Sequence, residues 1–232
     1  MRLESSETVK FLKNTALAGL LGIVILQFSP VLNAAETADT IRGVRSPIPV
    51  ILAGSSTVKN WGDTFARDEF SPVIITPRGV NGEVFRETVA RIKSMSDICD
   101  ARAVLVYSAV NDMSSNRVQN IAASDRFETL KHSQEELTEF IRVKCNGQTE
   151  LLISESPQTR TVNDSKAETG WLRNKWNAFL EDNSGKGYRF QKLCDQSLNP
   201  ADWLHILRVA MQSMGNKLRA YLLWNAKPEV CP

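Results

Sequence analysis

Between residues 48 and 190 the chain alternates short apolar runs with amphipathic stretches. The apolar runs are Val50-Ile51-Leu52-Ala53, Pro72-Val73-Ile74-Ile75-Thr76, Ala103-Val104-Leu105-Val106-Tyr107, Leu151-Leu152-Ile153-Ser154 and the weaker Tyr188-Arg189-Phe190. Each is continuous rather than alternating, which predicts strands buried on both faces of a parallel sheet, where no side chain needs to face water. The stretches between them carry apolar residues at helical spacing. Glu83 to Met95 places Phe85, Val89 and Ile92 on one face, and Phe127 to Val143 does so with Leu130, Leu137 and Ile141. Glu168 to Leu180 repeats the pattern with Leu172, Trp176 and Phe179, and Ile206 to Leu223 with Leu207, Met211, Met214, Leu218 and Leu222. Residues three, four and seven apart share a helix face, so these are amphipathic helices. Strand–helix alternation predicts an α/β fold, a three-layer α/β/α sandwich with right-handed crossovers. No repeat and no second domain interrupts it.

The pattern breaks at the N-terminus. Lys10 and Lys13 precede an apolar run from Thr15 to Phe28, interrupted only by Gln27, and Pro30, Ala34 and Ala35 follow. A basic start, an apolar middle and a small-residue exit predict a secretory signal peptide over residues 1–35. The run falls short of the ~20 residues of a spanning helix. Leu32 is large for its place ahead of the cleavage position, so an uncleaved anchor is the alternative. A buried core helix would leave the two lysines and Pro30 unexplained. Residues 36–46 then read as a polar linker, and 47–232 as the folded domain. Export would place the protein in a periplasm or outside the cell, anchored to a membrane only if the leader stays.

Composition adds exclusions. The 232 residues are 42% hydrophobic and 23% charged with a formal net charge of +2, and no basic block is present, so nucleic acid is not the expected partner. Four cysteines, Cys99, Cys145, Cys194 and Cys231, suit an exported protein with two disulfides rather than free thiols. Of three possible pairings, Cys99–Cys145 with Cys194–Cys231 is favoured, because Cys99 and Cys145 both lie just ahead of predicted strands. No Cys-x-x-Cys or Cys/His cluster exists, so no structural metal is expected.

In open parallel sheets ligands bind beyond the carboxyl ends of the strands. There the chain carries Gly54-Ser55-Ser56-Thr57, Arg78-Gly79-Val80-Asn81-Gly82-Glu83, Ser108-Ala109-Val110-Asn111-Asp112 and Ser154-Glu155-Ser156-Pro157. Ahead of the last helix stands Asp202-Trp203-Leu204-His205. His205 is one of two histidines, and the other, His132, sits in a polar helical stretch. An imidazole can take the proton of a serine nucleophile, and a carboxylate three residues away can fix its tautomer.

These blocks, in this order, resemble those of the SGNH (GDSL-like) hydrolases over Pro49 to Leu223. Gly54-Ser55-Ser56 matches the serine turn, Gly82 before Glu83 the second block, Asn111 the third and Asp202-x-x-His205 the last. The resemblance implies a flavodoxin-like five-stranded sheet and a Ser56–His205–Asp202 triad. It also implies an oxyanion hole of the Ser56 N–H, the Gly82 N–H and the Asn111 amide. Ser55 stands where aspartate is usual, Ala109 where glycine is usual and Trp203 where glycine is frequent. The activity implied is hydrolysis of a small acyl ester, with acetyl groups on a saccharide favoured, through an acyl-enzyme and without cofactor or metal. Transfer of the acyl group to a sugar hydroxyl, lipid-ester hydrolysis and a non-catalytic binding role are the alternatives.

Each residue also has a plainer reading. Ser55 is a neighbouring candidate for the nucleophile and Gly79 for the second-block glycine. Ser56 or Asp202 could cap a helix, Asn111-Asp112 could be a capping pair, and His205 a surface residue. Trp61 and Trp203 could line the site or fill core, Trp176 has core spacing, and Arg78 could meet substrate or form an exposed ion pair.

Overall fold

The computed structural model describes residues 46–160, 166–198 and 205–231. The expected leader, the linker up to residue 45, Asp202 and Trp203 lie outside the described residues. Strands β1 (Ile48–Gly54), β2 (Val73–Gly79), β3 (Ala103–Tyr107), β4 (Glu150–Ser154) and β5 (Arg189–Gln191) form one sheet in the order β2-β1-β3-β4-β5. Every neighbouring pair is parallel. Six α-helices are described: α1 (Ser56–Thr64), α2 (Phe85–Ser94), α3 (Val110–Ser114), α4 (Ala123–Lys144), α5 (Ala167–Asp182) and α6 (Arg208–Trp224).

Side chains alternate across each strand, so the apolar runs feed two cores. Ile51, Ala53, Val104, Val106, Leu151 and Ile153 pack on one face against α2, α4 and α5, with Phe85, Val89, Ile92, Leu130, Leu137, Leu172 and Trp176 fully buried. Val50, Leu52, Leu105 and Leu152 pack on the other against Val58 and Trp61 of α1 and Met211, Met214 and Leu218 of α6. These are the three layers expected. Cys99 is joined to Cys145 and Cys194 to Cys231. No helix of the described residues is long and apolar enough to cross a membrane.

Two departures matter for the site. Helix α1 follows β1 with only Ser55 between them, and only Thr57, Val58 and Trp61 of its nine residues are buried; two apolar anchors on a short polar segment with Gly62 inside it are too few to mark a helix in the sequence. Helix α2 starts at Phe85 rather than Glu83, because the Phe85 N–H is capped from outside by Asp112 Oδ2 at 2.8 Å. Glu83 is thereby left in the loop.

Strand order reverses at β1, since β2 lies on one side of it and β3 on the other. Connections leave this point in opposite directions and open a crevice between the ends of β1 and β3. Gly54 stands level with Gly79 on one side and with Tyr107 on the other.

Candidate active site

The serine turn is set by Gly54. A Cβ there would fall 1.9 Å from the Tyr107 carbonyl oxygen and 2.7 Å from Val58 Cγ2. Only a residue without a side chain lets β1 lie this close to β3 while the chain turns into α1. Ser55 takes the N-cap position with no side-chain capping bond and is buried, 4% exposed. Ser56, the first helical residue, is half-buried. Its Oγ lies 2.6 Å from His205 Nε2, although the two residues are 149 apart in sequence. With the ring protonated on Nδ1, the Ser56 hydroxyl donates to Nε2. The structure thus brings His205 to Ser56 and leaves Ser55 buried.

The residues just after His205 are tied to the segment that follows β5. Leu198 and Ile206 form an antiparallel bridge, and the Leu207 N–H donates to the Ser197 carbonyl at 2.7 Å. These two bonds hold His205 from its C-terminal side. The N-cap of α6 is Leu207 rather than Asp202.

Gly79 and Gly82 have separate tasks. A Cβ on Gly79 would meet the Lys59 main-chain nitrogen at 2.1 Å, so Gly79 lets α1 lie on β2. Gly82 has open space around it but a φ of +73°, a left-handed turn that glycine adopts without strain. That turn presents the next residue to Asn111, whose Nδ2 donates to the Glu83 carbonyl at 2.8 Å. An amide nitrogen has two N–H groups, so this bond orients Asn111 and uses one of them. Gly82, not Gly79, is therefore the glycine beside Asn111.

Ala109 has a φ of +74°, the left-handed conformation that the glycine of the resembling block would supply. The conformation is kept and alanine is forced into it. Asp112, 6% exposed, is structural: besides capping α2, its carboxyl is pushed up to about 7 by burial, partly offset by the Phe85 N–H, while Glu87 raises it and Arg126 lowers it.

Other candidates fall away. Trp61 is core, its ring 4.8 Å from Phe65 and 5.5 Å from Phe70, and it does not line the site. Trp176 is core too, edge-on to Phe85. Arg78 forms an exposed ion pair with Asp97 at 2.9 Å, and His132 is exposed on α4. Among the described residues no three His, Cys, Asp or Glu side chains group as metal ligands.

Arg91, Thr88 and Ser108 carried no signal in the sequence, yet all three are tied to Glu83 or its partners behind the loop. Only the acidic residue after Gly82 hinted at them.

No protein-family model matches the chain, and no curated protein matches it in sequence. Solved structures do match in fold. A GDSL-like lipase from Bacteroides thetaiotaomicron is 14% identical with a TM-score of 0.55, over 82% of this chain and 98% of that one. The chain has the SGNH hydrolase fold. The same SGNH fold relates it to a carbohydrate acetylesterase from Sinorhizobium meliloti, 11% identical with a TM-score of 0.54, over 75% of this chain and 97% of that one. An M. smegmatis aryl esterase is 9% identical with a TM-score of 0.52, over 75% and 97%. In the SGNH fold of this chain, Ser56, Asn111 and His205 all stand at the crevice where strand order reverses.

Proposed function

We propose that this chain is an exported SGNH-type serine ester hydrolase acting on small acyl esters of saccharides. The Ser56 Oγ–His205 Nε2 contact of 2.6 Å carries the reading, because a serine hydroxyl becomes nucleophilic only with a base in hydrogen-bond reach. In this reading Ser56 Oγ attacks the ester carbonyl as its proton passes to His205. His205 then hands that proton to the departing alcohol, leaving an acyl-Ser56 enzyme. A water molecule, deprotonated by His205, attacks the acyl carbon, and His205 returns that proton to Ser56 Oγ as the acid leaves. We assign Asp202 the task of orienting the imidazole, from its place three residues before His205. The Ser56 and Gly82 N–H groups and the Asn111 amide would hold the oxyanion, each worth on the order of 10²–10³ in turnover.

A cavity of about 290 Å³ lined by Gln158, Arg160, Gln196, Ser197 and Leu198 supports a hydroxyl-rich alcohol. Gln158 follows β4, and Leu198 is bridged to Ile206, the neighbour of His205. The fold shared with a carbohydrate acetylesterase supports the same choice. The two disulfides and the basic–apolar leader support export.

A fluorophosphonate probe tests the reading. Wild-type protein becomes covalently labelled and releases acetate from acetylated sugars, and Ser56→Ala abolishes both. Labelling that persists in Ser56→Ala would overturn the nucleophile assignment.

A further inference from the structure

We propose that Arg91 and Glu83 form a positioning clamp that sets the spacing between the serine turn and the Gly82–Asn111 donors. The proposal rests on the ester-hydrolase reading and assigns neither residue contact with substrate. Arg91 Nε donates to Glu83 Oε1 at 2.8 Å and Nη2 to Glu83 Oε2 at 2.7 Å. The same Nη2 donates to the Gly54 carbonyl at 3.2 Å, two residues before Ser56. The main-chain carbonyl of Glu83 holds Asn111. Thr88 Oγ1 donates to Glu83 Oε2 at 3.0 Å and lies 3.3 Å from Ser108 Oγ, in the segment between β3 and Asn111.

One guanidinium therefore links the end of β1 to the carboxylate of Glu83, the residue after Gly82, and through the Glu83 carbonyl to the amide of Asn111. Each of these points lies within two residues of a proposed oxyanion donor or is one. A guanidinium presents its N–H groups in a rigid planar fork, so bonding two partners at once also fixes the distance between them. The side chains of Arg91 and Glu83 are 22% and 11% exposed, which limits screening by water and salt. Both Glu83 oxygens are occupied; the same loop is also held by Arg117 Nη1 on the Gly82 carbonyl at 3.0 Å and by the Val80 N–H on the Gly54 carbonyl at 3.1 Å, but among the described residues only Arg91 ties the Glu83 carboxylate to the end of β1. An ion pair serving stability alone has no need of the third bond to Gly54.

The test measures kcat and KM on p-nitrophenyl acetate together with the Kd of phenylboronic acid. The Ser56 oxygen adds to the boron as its proton passes to His205, giving a tetrahedral boronate that occupies the same donors. Arg91→Met should lower kcat roughly 30–100-fold, the scale of a 1 Å misplacement. KM should stay within about twofold and boronate affinity should weaken by about the same factor as kcat, because the affected interactions belong to the transition state. Arg91→Lys should fall between, since an ammonium lacks the fork. The double variant Arg91→Met with Glu83→Met removes the unpaired buried carboxylate and should regain the melting temperature lost by Arg91→Met, yet remain slow. Recovery of kcat together with stability in the double variant, or wild-type kcat in Arg91→Lys and folded Arg91→Met alike, overturns the clamp. Failure of the ester-hydrolase reading shows separately, as wild-type protein that neither turns over nor binds the boronate.

Discussion

Replacing Gly54 by alanine adds a single methyl at the point where β1, β3 and α1 meet. Its Cβ would lie 1.9 Å from the Tyr107 carbonyl oxygen and 2.9 Å from the Tyr107 carbonyl carbon, both main chain, where real contacts begin near 3.0 Å. The two strands must separate by about 1 Å at their carboxyl ends, because a peptide carbonyl cannot rotate away as a side chain can. Overpacking a core costs about 1–3 kcal/mol, and a rigid backbone obstacle places this case at about 3 kcal/mol. The same 1 Å enters the distance between Ser56 on one strand end and Asn111 beyond the other, so turnover should fall about 100-fold as well. Gly170→Ala is the internal control. It lies in α5 with nothing within 4 Å of the added Cβ, and exchanging glycine for alanine in a helix should stabilise by about 0.5–1 kcal/mol. Urea unfolding followed by tryptophan fluorescence reads both shifts at constant m, and initial rates on p-nitrophenyl acetate read the site. A Gly54→Ala protein with wild-type midpoint would refute the packing argument. One that is destabilised but retains full turnover would refute the link from strand separation to the site.

Two further outcomes follow from the same structure. The Cys99–Cys145 bond closes 46 residues, so Cys99→Ala with Cys145→Ala should cost about 4 kcal/mol on the chain-entropy relation; urea midpoints under identical buffer check it. Asp112 keeps its proton in the native state up to about pH 7, while the unfolded carboxyl titrates at its ordinary value of 3.8. The native state then holds more protons through that window, so stability should fall as pH rises from about 4 to 7, by at most about 1.4 kcal/mol per pH unit. Asp112→Asn still offers the Phe85 N–H an acceptor and should flatten that slope. An unchanged slope in the variant refutes the assignment to Asp112.

Much of the fold was legible because burial on both faces leaves a direct trace. The continuous runs at Val50–Ala53 and Ala103–Tyr107 have no solvent side, so their composition alone marks central parallel strands. Helices α2, α4, α5 and α6 show through their apolar stripes, each end differing from the sequence boundaries by a few residues. Helix α1 left no comparable trace, because its buried face is three residues long and its start is dictated by the turn at Gly54.

The candidate site divides in the same way. By itself the sequence determined which residue types stand at the strand ends: a serine turn, a glycine before an acid, an asparagine, and a scarce histidine near a carboxylate. These depend on local chemistry, which spacing preserves. Only the tertiary structure decided between neighbours. It set Ser56 rather than Ser55 against His205 and placed Gly82 rather than Gly79 beside Asn111. It also sent Trp61 to the core and joined Arg91 to both Glu83 and Gly54. Each of those choices turns on distances between segments far apart in the chain. Such distances are fixed by how the strands approach and where the helices rest, which no local pattern records.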